Sequence, residues 1–125
     1  MTYTIVTTPV EIITHGPADK VQALTGYLSS QFNQFLGGAF EQVSQATPVL
    51  GGVALKIIND GVEFFRQENP LTHVENFVAS RLKALKTGDY KKIFSAISEA
   101  DIQFDIVERK SGGITVVASI EPVTP

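Results

Sequence analysis

The chain has 125 residues, enough for one domain with a sizeable core. Apolar residues make up 43% of it and charged residues only 18%, a globular composition with few charges. There is no cysteine, which excludes a disulfide framework, a thiolate metal site and a cysteine nucleophile, and a net charge of −3 argues against general nucleic-acid binding.

The stretch from Met1 to Ile12 has neither the basic region nor the apolar centre of a secretion signal. No apolar run reaches the roughly 18 residues of a membrane span. The expectation is a soluble cytoplasmic protein that does not insert into membranes. Most basic residues fall between Arg81 and Lys110, interleaved with Asp89, Glu99, Asp101, Asp105 and Glu108. That mixture reads as solvated surface rather than a phosphate-binding patch.

Tyr3 to Thr14 is rich in Thr, Val and Ile, which favours a strand. Pro9 cannot donate to a ladder, so it implies an edge strand, a bulge or two short strands. His15-Gly16-Pro17-Ala18-Asp19 is a turn leading into a helix. Val21, Leu24, Leu28, Phe32 and Phe35 hold a helical stripe whose phase continues through Ala39, Val43 and Ala46. The pattern predicts a helix over 17–46, with a kink or short break at Gly37-Gly38.

Thr47-Pro48 is a helix start signal. Leu50, Ala54, Ile57, Ile58, Val62 and Phe65 then recur at three- and four-residue steps. Val49, Val53 and Phe64 widen that stripe, and the polar residues form one narrow band. This predicts a helix over 47–67 buried on more than one side. With the first helix it would make a helical hairpin turning at Ala46-Thr47.

Thr72 and Glu75 have the spacing of a capping box. The helix after them would bury Val74, Phe77, Val78, Leu82 and Leu85 and stop at Gly88. Asp89 can cap a shorter helix carrying Tyr90, Ile93, Phe94 and Ile97. The C-terminus changes period. Ile102, Phe104 and Ile106 alternate with polar residues, as do Ile114, Val116, Ala118 and Ile120. A three-residue loop, Lys110 to Gly112, with Gly112 left-handed, would keep both sets on one face of a β-hairpin.

The fold expected is a single α+β domain over 1–125. The N-terminal strand and the C-terminal hairpin form a small antiparallel sheet, with the helical hairpin and two further helices on one face.

Between Val21 and Leu55 the only charged residue is Glu41. Exposed helix faces normally carry Lys and Glu, whereas interface cores are depleted in them. This predicts a non-catalytic interaction or assembly protein. It would self-associate as a homo-oligomer, or meet another protein, through Gln31, Gln34, Phe35 and Gln42. A second reading is an apolar-ligand binder, or an isomerase or cyclase. Its pocket would lie between the helices, lined by Phe32, Phe35 and Phe64, with His15 or His73 as acid/base. A third is attachment to a membrane surface, which the lack of basic residues on the polar face opposes. The two histidines lack ligand spacing, so neither metal nor cofactor is expected. No phosphate loop or nucleophile elbow is present.

Overall fold

The computed structural model describes residues 5–36, 40–42, 47–49, 52–66, 69–87 and 100–122. The elements in chain order are β1 (Ile5–Gly16), α1 (Ala18–Leu36), β2 (Glu41–Gln42), β3 (Thr47–Val49), β4 (Gly52–Phe65), α2 (Pro70–Thr87), β5 (Ala100–Glu108) and β6 (Ile114–Pro122). Six strands form one sheet in the order β2-β4-β1-β6-β5, with β3 also paired to β4. The class is α+β, with two helices among the described residues.

β1 is the middle of the sheet. Its Thr/Val/Ile content suits a pleated, half-buried surface. It pairs antiparallel with β4 on one side and parallel with β6 on the other. The expected all-antiparallel, three-stranded sheet is therefore corrected to a mixed one. Thr8, Val10, Ile12 and Thr14 are buried while Glu11, Ile13 and His15 are half-buried, the alternation of a strand with one face on a core. Pro9 falls where the register with β4 shifts, between Thr8 and Val10. There Asp60 and Gly61 of β4 face a single β1 residue, which makes a bulge. Asn59 Oδ1 accepts the Gly61 N–H at 2.9 Å and shapes that bend.

The largest correction concerns residues 47–67. Thr47–Val49 and Gly52–Phe65 form β3 and β4, not a helix, so among the described residues there is no helical hairpin. The physical reason lies in the side chains and the bulge. Val53, Ile57, Ile58 and Val62 are β-branched and lose rotamer freedom in a helix. The inward phase of β4 runs Leu55, Ile57, Asn59 and then, after the bulge, Val62 and Phe64. One extra residue shifts the period-2 pattern so that it imitates helical spacing.

α1 starts where the Val21 N–H donates to the Pro17 carbonyl at 2.9 Å. It buries Val21, Leu24, Thr25, Tyr27, Leu28 and Phe32, each large apolar side chain contributing roughly 1.5–3 kcal/mol. The helix ends at Leu36 rather than running to residue 46, and Glu41-Gln42 pairs with Ile57-Ile58 as a strand. Phe40 returns beside the helix. Its N–H donates to Asn33 Oδ1 at 2.6 Å. The proposed break at Gly37-Gly38 and the turn at Ala46 lie outside the described residues.

Gly26 lies on the exposed side of α1, and a Cβ there would meet nothing within 4 Å. Gly26→Ala is expected to stabilise the fold by roughly 0.5–1 kcal/mol through helix propensity. A higher urea midpoint at unchanged slope would show it.

α2 is capped by Asn69, whose Oδ1 accepts the Leu71 N–H at 3.1 Å. Pro70 occupies the first helical position, where its missing N–H costs nothing. The cap is thus Asn69 and not Thr72. α2 buries Val74 and Val78. The short helix expected over 89–97 lies outside the described residues.

The C-terminal hairpin has Ile102 opposite Ile120, Phe104 opposite Ala118 and Ile106 opposite Val116. Arg109 N–H donates to the Gly113 carbonyl and Gly112 N–H to the Arg109 carbonyl, closing the loop 110–112. Gly112 has φ +96, the left-handed turn position.

Candidate functional site

Three surfaces follow from this arrangement. The first is the sheet face opposite the helices. Strand pairing lays it out in rows. Ala54, His15, Ser119 and Gln103 lie side by side across β4-β1-β6-β5. Lys56, Ile13, Val117 and Asp105 form the next row, then Ile58, Glu11, Thr115 and Val107. Glu11 is the hub. Its Oε1 accepts the Thr115 hydroxyl at 2.9 Å, while Lys56 Nζ lies 3.8 Å from Oε2 and Arg109 Nη1 3.9 Å from Oε1. Gly113 is buried, and a Cβ there would overlap the Arg109 guanidinium, so the bare backbone gives that side chain its path. These ion pairs are partly exposed, so each adds at most about 1 kcal/mol. Their clearer role is to fix three strands in register.

His15 Nε2 lies 2.7 Å from Ser119 Oγ. A nucleophile-and-base pair needs an oxyanion site beside it. Both residues are paired within the sheet, His15 with Ala54 and Ser119 and Ser119 also with Gln103, and the contact reads as a cross-strand polar pair. His73 is elsewhere, on α2, with its ring edge-on to Phe64 at 5.6 Å. The two histidines therefore serve opposite faces of the sheet. His15 is the penultimate residue of β1, three positions before α1 begins, and His73 lies within the first turn of α2. Among the described residues no group of three His, Asp or Glu side chains could hold a metal ion.

The second surface is the outer side of α1. Asp19, Gln22, Gly26, Ser30 and Gln34 are exposed, at the three- and four-residue steps of one helical stripe. After Asp19 the stripe carries no charge. Of the residues expected at an interface, Gln34 is on this stripe and Gln31 is half-buried at its flank. Phe35 belongs to α1, but its side chain is outside the description. Gln42 is not on the helix; it pairs with Ile57 in β2. Against this stripe lies a recess of about 440 Å³, lined by Gln22, Thr25, Gly26, Ser29, Leu55 and Ile57. Thr25 Oγ1 is buried there without a hydrogen-bond partner among the described residues.

Of the rings expected to line an aromatic pocket, Phe32 and Phe64 are buried, and the side chain of Phe35 lies outside the described residues. Phe32 is fully buried, with Phe40 and Phe77 edge-on at 5.4 and 4.8 Å. Phe64 faces the same core from β4. These rings fill space, and the recess beside α1 is lined by amide and hydroxyl groups together with Leu55 and Ile57.

The third surface is the outer edge of β5, where a groove of about 590 Å³ runs between the strand and α2.

No family model, curated protein or solved structure matches this chain. No helix among the described residues is long and apolar enough to cross a membrane.

The Glu11 cluster escaped the sequence reading because its members are up to 104 positions apart. The one visible signal was the alternation of β1, which puts Glu11 and His15 on the same side of a strand.

Proposed function

We propose that this chain is a non-catalytic assembly module that meets a second copy of itself through the outer stripe of α1. The observation that carries the reading is that stripe. Gln22, Gly26, Ser30 and Gln34 are exposed and uncharged on a helix whose opposite side is fully committed to the core. Charge depletion is the compositional mark of an interface core. Amides and hydroxyls can pair across a contact without the desolvation cost of ions. Two-fold homodimers are the commonest closed assembly, and they use the same patch on both copies.

The test is the double substitution Ser30→Lys with Gln34→Lys. Both side chains point to solvent in a single copy, and lysine is a better helix former than serine, so folding is preserved. Across a two-fold contact the added charges face each other. Light scattering at micromolar concentration is expected to give an oligomer for the unmodified chain and a smaller mass for the variant. Equal masses would overturn the reading.

A small ligand held in the recess beside α1 is the second reading. The buried Thr25 hydroxyl favours it, and Gln22 and Ser29 suit a polar ligand better than an apolar one. Neither histidine is among the described residues lining that recess, so acid/base chemistry there lacks a candidate.

A further inference from the structure

We infer that β5 is a second self-association surface, to which another copy of this chain adds its own β5 antiparallel about a two-fold axis at Phe104. The inference goes beyond the α1 contact and builds on the same reading of the chain as an assembly module.

Among the described residues β5 is bonded to β6 alone. The direction of its free backbone groups follows from the hairpin loop. Arg109 N–H donates to the Gly113 carbonyl, so Arg109 is in a hydrogen-bonded pair. In an antiparallel ladder such pairs alternate. Val107, Asp105 and Gln103 therefore bond toward β6, and Ile102, Phe104 and Ile106 turn their N–H and C=O groups toward the edge away from β6, which no described strand pairs. Ala100–Glu108 spans nine residues without proline. Natural sheets blunt such an edge with short strands, prolines, bulges, charges or a covering segment, and among the described residues only charge does so.

Among the registers centred on residues 103–105, the charges favour one rather than close the edge. Two copies related by a two-fold axis through the sheet keep their faces matched only when the paired numbers share parity. Centring on Asp105 sets that carboxylate against itself. Centring on Gln103 sets Asp105 against Asp101 of the second copy. Centring on Phe104 sets Gln103 against Asp105 of the second copy, an amide against a carboxylate, and does so twice. On the helix side the same register places Phe104 on Phe104 and Ile102 on Ile106, extending the apolar layer. Phe104 and Ile106 are half-buried in one copy. The groove beside them, lined also by Glu75, Val78 and Ala79, leaves room for the incoming Phe104. Its backbone groups are those turned outward, so the central pair closes with reciprocal hydrogen bonds. This self-complementarity is what commits the edge to a second copy rather than to an unrelated peptide.

α1 lies over β4 and α2 over β5, so the two contacts are at opposite ends of the sheet. Used together they build assemblies larger than a dimer.

The test combines Gln103→Glu with concentration-dependent amide exchange. Gln103 is exposed on the open sheet face, so the substitution leaves the fold intact while placing carboxylate against carboxylate at two symmetric positions. Exchange at Ile102, Phe104 and Ile106 is expected to slow as the unmodified chain is concentrated. Gln103→Glu is expected to weaken β5 pairing roughly tenfold and remove that protection. Gln103→Lys is expected to strengthen it, and Gln103→Glu with Asp105→Lys to restore it. Exchange at these amides that is independent of concentration, or unchanged by Gln103→Glu, would overturn β5 pairing whatever the α1 variant does. A mass that responds to Gln103→Glu but not to the Ser30 and Gln34 lysines would support β5 pairing and sink the α1 contact instead.

Discussion

Phe32→Ala is expected to lower the unfolding free energy by about 3–5 kcal/mol. Phe32 has no exposed surface, and its ring is the joint between three parts of the chain. It comes from α1, meets Phe40 just beyond that helix, and meets Phe77 of α2. Both contacts are edge-on, the favoured aromatic geometry, worth about 0.5–1.5 kcal/mol each beyond area burial. Truncation removes the ring and leaves a cavity that the sheet below cannot close. Domains of this kind have about 5–15 kcal/mol of stability in total, so the variant would be marginal. Urea unfolding of the variant, if still folded, would show the loss directly. A loss below about 1 kcal/mol would mean that α1 and α2 do not share this core.

Gly52→Ala is expected to cost on the order of 3 kcal/mol. A Cβ on Gly52 would overlap the Gly16 carbonyl, which is backbone and cannot swing aside. Gly16 is itself crowded, since its own Cβ would sit 2.9 Å from Ile120 Cβ and 3.0 Å from the Ile120 carbonyl oxygen. β4, β1 and β6 thus converge at two glycines. Gly112 is the comparison: its φ is +96 but its surroundings are open, so alanine there costs only about 1–2 kcal/mol. Gly26, open and helical, gains stability instead. Equilibrium unfolding of the three alanine variants should rank them in that order. A Gly52→Ala variant as stable as the parent would show that β4 and β1 do not approach as described.

Parts of this architecture were legible because local chemistry and tertiary packing agree there. Pro9 demanded a bulge, an edge or a break, and a bulge is what it has. The stripe from Val21 to Phe32 is buried as its spacing requires. Gly112 sits left-handed in the loop that keeps Ile106 and Val116 on one face. β4 was illegible for a specific reason. The Asn59-Asp60-Gly61 bulge adds one residue to a period-2 pattern, which puts Val62 four residues after Ile58 and Phe64 seven after Ile57, both helical steps. The β-branched residues on both sides of the bulge were the signal that should have outweighed the spacing. The parallel pairing of β1 with β6 was illegible for another reason. It joins residues more than a hundred positions apart, and no local pattern specifies which edge a hairpin will choose. The Glu11 cluster depends on that same pairing. On α1 the placement of Gln34 followed from periodicity alone, while Gln42 was misplaced because the helix stops at Leu36.

The claim that the outer stripe of α1 rests against a second copy is tested most directly by its accessibility in solution. The chain has no cysteine, so Ser30→Cys creates a single reporter in the middle of the stripe. Its reaction with a water-soluble thiol reagent is expected to slow markedly as the protein is concentrated through the micromolar range. A control cysteine at Lys110, on the exposed hairpin loop, should keep a constant rate. If the Ser30 reporter reacts equally fast at every concentration, the stripe is open to water and the proposed assembly surface is wrong.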